Sequence, residues 1–262
     1  MSRKVLLSAN EAVAWAACKA GCAVASAYPG TPSTEILENV AKFKDSISCE
    51  WGVNEKVSME VAIGASIAGA RALTAMKHVG LNVAMDPLMT YTYVGANGGL
   101  VVIVADDPGM HSSQNEQDSR NLVKFARAAL FEPADSQETF DMVQAAFEVS
   151  EQFQVPAFVR LSTRTSHTST VVDVGDDFGA GTPKRKAYVK DIRRYIPVPM
   201  FARPQRLKAQ ERTAAMRAFA CETPFNRVER GDDRLGIITS GVTYQYVKEV
   251  FPEFSVLKLG FT

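Results

Sequence analysis

A chain of 262 residues that is 46% apolar has material for one large or two ordinary domains with a sizeable core. Lys plus Arg and Asp plus Glu both number 29, which argues against a basic binder of nucleic acid or of an anionic membrane. No apolar run reaches the ~18 residues of a spanning helix, and Glu11 interrupts the apolar N-terminal stretch, so no signal peptide is read there.

The four cysteines are Cys18, Cys22, Cys49 and Cys221. Without a further cluster they suit neither an iron–sulfur centre nor zinc, so no metal site is assigned. Buried free thiols in a reducing, cytoplasmic setting are expected.

In chain order, residues 5–21 predict a short strand, a cap at Ser8 or Asn10, and a helix stopped by Gly21. A small-residue strand, CAVASA, runs into Tyr28-Pro29-Gly30-Thr31-Pro32, and a helix starts near Thr34. A strand, a Gly/Pro loop and a helix place backbone N–H groups and the Thr31 hydroxyl at the carboxyl edge of a sheet, where open α/β sheets bind ligands. The same pattern also fits an ordinary connection.

After the short strand ISCEW comes Asn54–Met76, a stretch rich in Ala, Gly and Ser that opens with Glu55. Each glycine inside a helix costs about 1 kcal/mol against alanine. Gly64 and Gly69 therefore imply close approach of another backbone or a ligand. Ser66, Gly69 and Ala70 are predicted to share one smooth face, with Glu55 held at its edge. A tightly packed interior helix, with Glu55 favourable on its dipole, fits as well.

The next strand is expected to end at Met76, followed by a loop, KHVGLN, that puts Lys77, His78, Gly80 and Asn82 beside the first loop. GLVVIVADD is the clearest strand, apolar throughout and hence buried on both faces. The polar run from Gly109 to Arg120 holds His111 and is expected to be a mobile loop carrying function, with His111 as a candidate acid or base. A helix, a short strand, a helix from Ser136 and the strand PAFVRLS follow. Alternation of strand and helix through residue 163 predicts a doubly wound parallel sheet over 1–175.

Residues 176–232 form a connection with its own helix, and the basic residues of 183–195 are expected on a solvated face. Residues 233–262 begin a second α/β unit. Two strands and one helix cannot bury a core alone. They either dock on the first domain or start a domain that continues beyond Thr262, and the second option is preferred.

Three stretches, ASAYPGTPSTEILE, WGVNEKVSMEVAIGASIAGARALTAMKHVGLNVAMDPLM and VVIVADDPGMHSSQNEQDSR, together resemble the pyrimidine-binding domain of thiamine-diphosphate enzymes. The likeness is to 2-oxoacid:ferredoxin oxidoreductases, most of all to the long (alpha) subunit of the indolepyruvate type, and it extends through Ile196–Pro199 and DRLGIITSG.

The resemblance implies that Glu55 bonds N1′ of the aminopyrimidine, so that the 4′-nitrogen can take the thiazolium C2 proton. It implies a cofactor-binding role for Tyr28, Pro29, Gly30, Thr31 and Pro32, with Thr31 also near the reacting carbon, and for His78, Gly80 and Asn82. Glu60 is the rival of Glu55, because Gly69-Ala70 lies nine residues after it as Gly64-Ala65 does after Glu55. The arginine of pyruvate-specific relatives is absent after Asp106-Asp107-Pro108, which favours a bulky aryl 2-oxoacid.

No Gly-Asp-Gly with a downstream Asn is present to hold magnesium diphosphate, so the chain carries half of a cofactor site. Magnesium and iron–sulfur clusters, coenzyme A, ferredoxin, a second (beta) subunit and a dimer are implied for the full enzyme. A non-redox decarboxylase or synthase subunit, and a non-catalytic scaffold or regulatory module, remain open.

Overall fold

The structure is a computed structural model that describes residues 3–176 and 178–262. The chain opens with β1 (Lys4–Ser8) and α1 (Ala9–Lys19). Ser8 caps α1: its hydroxyl accepts from the Glu11 N–H, and the Glu11 carboxylate accepts from the Ser8 N–H. Next come β2 (Val24–Ala27), α2 (Thr34–Val40), β3 (Ser48–Trp51), α3 (Glu55–Ile67), β4 (Ala72–Lys77) and α4 (His78–Val94). Then follow β5 (Leu100–Asp106), α5 (Ser119–Ala126), β6 (Ala129–Phe131), α6 (Ser136–Phe153), β7 (Ala157–Ser162), α7 (Thr163–His167) and β8 (Ser169–Asp173).

Six of these strands form one parallel sheet in the order β3-β2-β4-β5-β7-β6. Side chains alternate across a strand, and β5 shows the consequence. Val101, Ile103 and Ala105 enter a core shared with α1, α2 and α6, while Leu100, Val102 and Val104 enter a second core shared with α3 and α4. Both faces are thus covered, as the unbroken apolar run of β5 predicts. The expected doubly wound sheet is present.

β1 lies outside that sheet and pairs antiparallel with β8, a strand the alternation did not reveal. The cysteines are all free, but only Cys18 and Cys22 are buried; Cys221 is exposed. Among the described residues no helix is long and apolar enough to cross a membrane.

The connection is bound to the domain rather than free. Lys186 N–H donates to the Gly69 carbonyl and Gly181 N–H to the Cys18 carbonyl. After α8 (Ile192–Tyr195) and α9 (Pro199–Glu222), two arginines close the carboxyl end of α4. Arg194 donates to the Gly95 and Ala96 carbonyls, and Arg212 to those of Thr92 and Tyr93. A helix end leaves such carbonyls without partners and favours cations. Part of the basic cluster expected on a solvated face therefore serves as a helix cap.

The last unit is a three-stranded sheet in the order β10-β11-β9, from β9 (Arg227–Glu229), β10 (Asp232–Ser240) and β11 (Phe254–Leu259), with α10 (Thr243–Val250) between the last two. It docks on the edge of the main sheet. Leu130 and Thr262 exchange backbone hydrogen bonds of 3.0 and 2.9 Å, and buried Phe261 packs on Phe131 and Phe219. Burying one such ring stabilises by about 1.5–3 kcal/mol. Docking thus covers the apolar surface that this small unit could not bury alone.

Candidate functional site

The sheet order places a crevice where the chain turns both ways. From β2 it passes outward to β3, and from β4 it passes the other way to β5. Open α/β sheets bind ligands at such a switch point, outside the carboxyl ends of the strands. Three segments meet there: the loop after β2, the start of α3 after β3, and the start of α4 after β4.

The loop after β2 is held locally. Thr34 Oγ1 accepts from the Gly30 N–H at 2.9 Å, and the Ser33 hydroxyl donates to the Gly30 carbonyl at 2.7 Å. Gly30 lets the loop and Lys77 approach closely, since a Cβ there would lie 2.9 Å from Cδ of Lys77. The Lys77 stem thus passes over the loop, and its Nζ donates to the Ser112 carbonyl at 3.0 Å. Tyr28, Pro29 and Thr31 stay exposed, whereas Pro32 is buried.

α3 starts at Glu55 because Asn54 caps it, the Asn54 side chain accepting from the Val57 N–H at 2.9 Å. Glu55 is only 9% exposed. Its carboxyl lies against Gly80, where a Cβ would come within 2.5 Å of Oε1. Among the described residues no donor bonds to this carboxylate. Its carboxylate oxygens are not sealed from solvent, so a donor that enters the crevice can reach them. Glu60, the rival acid, is exposed further along α3.

The expected loop at 77–82 is instead the first turn of α4, which begins at His78. β4 therefore feeds the helix directly and brings Gly80 to Glu55. His78 is fully buried, and its Nε2 lies 2.9 Å from the Asn115 carbonyl, while Nδ1 has no partner. Asn82 is exposed. The smooth face predicted for α3 is also shorter than expected: α3 ends at Ile67, and Gly69, with φ +90°, turns the chain toward the Lys186 carbonyl. Gly64 is exposed, with nothing near the place of a Cβ.

The polar segment after β5 is tied back to the sheet end at Ser112 and Ser113. Asp107 accepts from the Ser112 N–H, the Ser113 hydroxyl and the Thr163 hydroxyl at 2.8, 2.8 and 2.7 Å. Burial pushes the Asp107 carboxyl up, but these hydrogen bonds outweigh it and hold the carboxyl down at about 2. Because the folded value is depressed, this contribution is complete above about pH 4 and is lost as the pH falls toward 2. Asp107→Ala is expected to speed amide hydrogen exchange across residues 109–117 by about tenfold or more at pH 7, with the β5 core unchanged. Equal exchange in variant and wild type would show that the segment is held by other contacts.

Of the residues named from sequence, the crevice gathers Tyr28–Pro32, Glu55, His78 and Gly80. It leaves Asn82 outward, and the His111 ring lines a separate cavity next to β7. Lys77 and Asp107 were legible as strand-end charges, but not as the groups that tie the Ser112 segment to the crevice. The Ser112 hydroxyl also reaches the Thr31 carbonyl at 3.4 Å.

Residues 15–218 match the family model described as pyruvate flavodoxin/ferredoxin oxidoreductase, thiamine diphosphate-binding. The chain belongs to this family. Indolepyruvate oxidoreductase subunit IorA of Pyrococcus abyssi is 44% identical over 98% of the chain and 41% of its own length. The subunit of the same name from Methanothermobacter thermautotrophicus is 44% identical over 99% of the chain and 43% of its own length. Ketoisovalerate oxidoreductase subunit VorA of Pyrococcus furiosus is 34% identical over 66% of the chain and 45% of its own length. The chain thus spans less than half the length of these family members.

A solved structure, the 2-oxoglutarate:ferredoxin oxidoreductase from Magnetococcus marinus with 2-oxoglutarate, coenzyme A and succinyl-CoA bound, matches with a TM-score of 0.79 at 18% identity. That match covers 99% of the chain and 54% of the other, and it supports the fold of the family domain.

Proposed function

We propose that this chain carries the pyrimidine half of the thiamine-diphosphate site in a 2-oxoacid:ferredoxin oxidoreductase of the indolepyruvate type. The observation that carries the reading is the largely enclosed Glu55 side chain, set against Gly80 at the switch point, with no hydrogen-bond donor among the described residues on its carboxylate. A carboxyl so placed can share a proton with a ring nitrogen of a flat heteroaromatic group. Gly80 leaves the space beside it free of a side chain.

When bound, thiamine diphosphate supplies the carbon nucleophile and electron sink that let a 2-oxoacid lose carbon dioxide. The chain's own residues orient and shield. Glu55 holds a proton at its carboxyl. Lys77 and Asp107 hold residues 112–113 next to the Thr31 loop, which narrows the way for water into the crevice. Thr31 stays exposed there, so its hydroxyl is free to meet the substrate carbonyl.

The aryl 2-oxoacid is supported by the names of the 44%-identical relatives and by Asp106-Asp107-Pro108, where no arginine stands to pair a small charged substrate. Ferredoxin as electron acceptor, coenzyme A as acyl acceptor and a beta subunit belong to the same proposal.

A half-site has a direct consequence. Calorimetric titration of the isolated chain with thiamine diphosphate is expected to show only weak binding, unchanged by magnesium, because no group of the chain is assigned to the magnesium diphosphate. Tight binding that requires magnesium would reveal a diphosphate site in the chain and overturn the half-site reading.

A further inference from the structure

Three lysine and arginine side chains are buried among the described residues: Arg71, Lys77 and Lys258. Two of them meet a carboxylate. Arg71 pairs with Glu151 at 2.7 Å, and Lys258 pairs with Glu138. Buried charges are as a rule paired in this way. Lys77 is the exception. Among the described residues no carboxylate lies within 4 Å of its ammonium, and its one protein acceptor is the Ser112 carbonyl at 3.0 Å. At 8% exposure the side chain is enclosed but not sealed.

The place of Lys77 in the fold gives no other reason for a charge. It ends β4 and directly precedes α4, and the N-terminal end of a helix favours an anion over a cation. The Ser112 carbonyl would be served as well by a neutral donor. The Lys77 stem lies against the 30–31 loop, with Cδ 2.9 Å from the place of a Cβ on Gly30. The Ser112 hydroxyl reaches the Thr31 carbonyl at 3.4 Å. The ammonium, Ser112 and the Thr31 loop thus meet at one end of the crevice.

We propose, resting on the function proposed above, that Lys77 is the cation that binds the substrate carboxylate, beside the Thr31 loop that meets the oxo group. Every 2-oxoacid carries its carboxylate one bond from the oxo carbon. The groups that receive the two must therefore lie side by side, as Lys77 and the Thr31 loop do. No arginine stands directly after Asp106-Asp107-Pro108 to take that carboxylate. An ammonium has three N–H groups, and the chain uses one of those of Lys77. The others can donate to a carboxylate in charge-assisted hydrogen bonds, which are stronger than neutral ones.

The test is calorimetric titration of the intact enzyme, reconstituted with its partner subunit and thiamine diphosphate, with 3-phenyllactate and with 3-phenyllactamide. Both have the size of an aryl 2-oxoacid, neither has the oxo group that reacts, and only the first is an anion. Wild type is expected to bind the acid about tenfold or more tightly than the amide. Lys77→Met is expected to weaken the acid about tenfold or more and to leave the amide within about twofold. Lys77→Arg keeps the charge and is expected to restore a preference for the acid. Asp107→Ala loosens residues 112–113 without removing the charge, so its effect is expected to fall on both ligands alike. Absence of a preference for the acid in wild type, which needs no variant to fold, would overturn the assignment. So would unchanged acid affinity in Lys77→Met, or equal weakening of acid and amide in that variant. The cofactor reading is tested apart, by exchange of the thiamine C2 proton in Glu55→Gln with no substrate present. A wild-type rate there would sink the cofactor reading, whereas a slow rate there with unchanged acid affinity in Lys77→Met would sink the Lys77 assignment alone.

Discussion

Glu55→Gln, introduced into the intact enzyme reconstituted with its partner subunit, is expected to slow exchange of the thiamine C2 proton by about 10²–10⁴-fold. Glu55 is the first residue of α3, only 9% exposed, and no donor among the described residues bonds its carboxylate. Glutamine keeps the shape but cannot give and take the same proton. The fold should be untouched, because α3 is capped by Asn54 and not by Glu55. Glu60→Gln should leave the rate within a few-fold of wild type, since Glu60 is in solvent. Acid quench followed by NMR reads the exchange directly. A wild-type rate in Glu55→Gln together with a slow rate in Glu60→Gln would move the acid five residues along the chain.

Gly80→Ala is expected to cost about 10²-fold in the same exchange rate, through geometry rather than through charge. An added Cβ would sit 2.5, 2.7 and 2.9 Å from Oε1, Cγ and Cδ of Glu55. The carboxyl would have to swing away, and a displacement of about 1 Å can cost that factor. Helix propensity works in the opposite direction, because alanine favours α4 by about 1 kcal/mol over glycine. The variant should therefore melt no lower than wild type while exchanging slowly, a combination that general destabilisation cannot produce. Gly64→Ala serves as the control for melting in the isolated chain, since a Cβ there meets nothing within 4 Å. An unchanged exchange rate in Gly80→Ala would show that the carboxyl has room to work elsewhere.

Much of the crevice was legible because local rules act on short stretches. Pro29, Gly30 and Pro32 mark a loop wherever they occur, and an acid after Asn at a helix start reads the same in any fold. What escaped was set by neighbours distant in sequence. KHVGLN is expected as a loop, yet α4 starts within it at His78. The contacts made there, Gly80 against Glu55 and His78 against the Asn115 carbonyl, lie outside any local window. The ties on residues 112–113 were hidden for the same reason: Asp107 and Lys77 hold them through partners that only the folded sheet supplies.

The sequence by itself determined the doubly wound sheet, through alternating periodicity and the apolar run of β5, and it determined the family, through three motifs in order. Only the tertiary structure decided that β1 leaves the sheet to pair with β8, that arginines of the connection cap α4, and that residues 233–262 dock through Phe261 and Thr262. It also sets Glu55 apart from Glu60, burying one beside Gly80 and leaving the other in water. The physical reason is range. Periodicity and capping are settled within a turn or two of chain, whereas burial of a charge and pairing of a strand edge depend on which distant surface arrives to meet them.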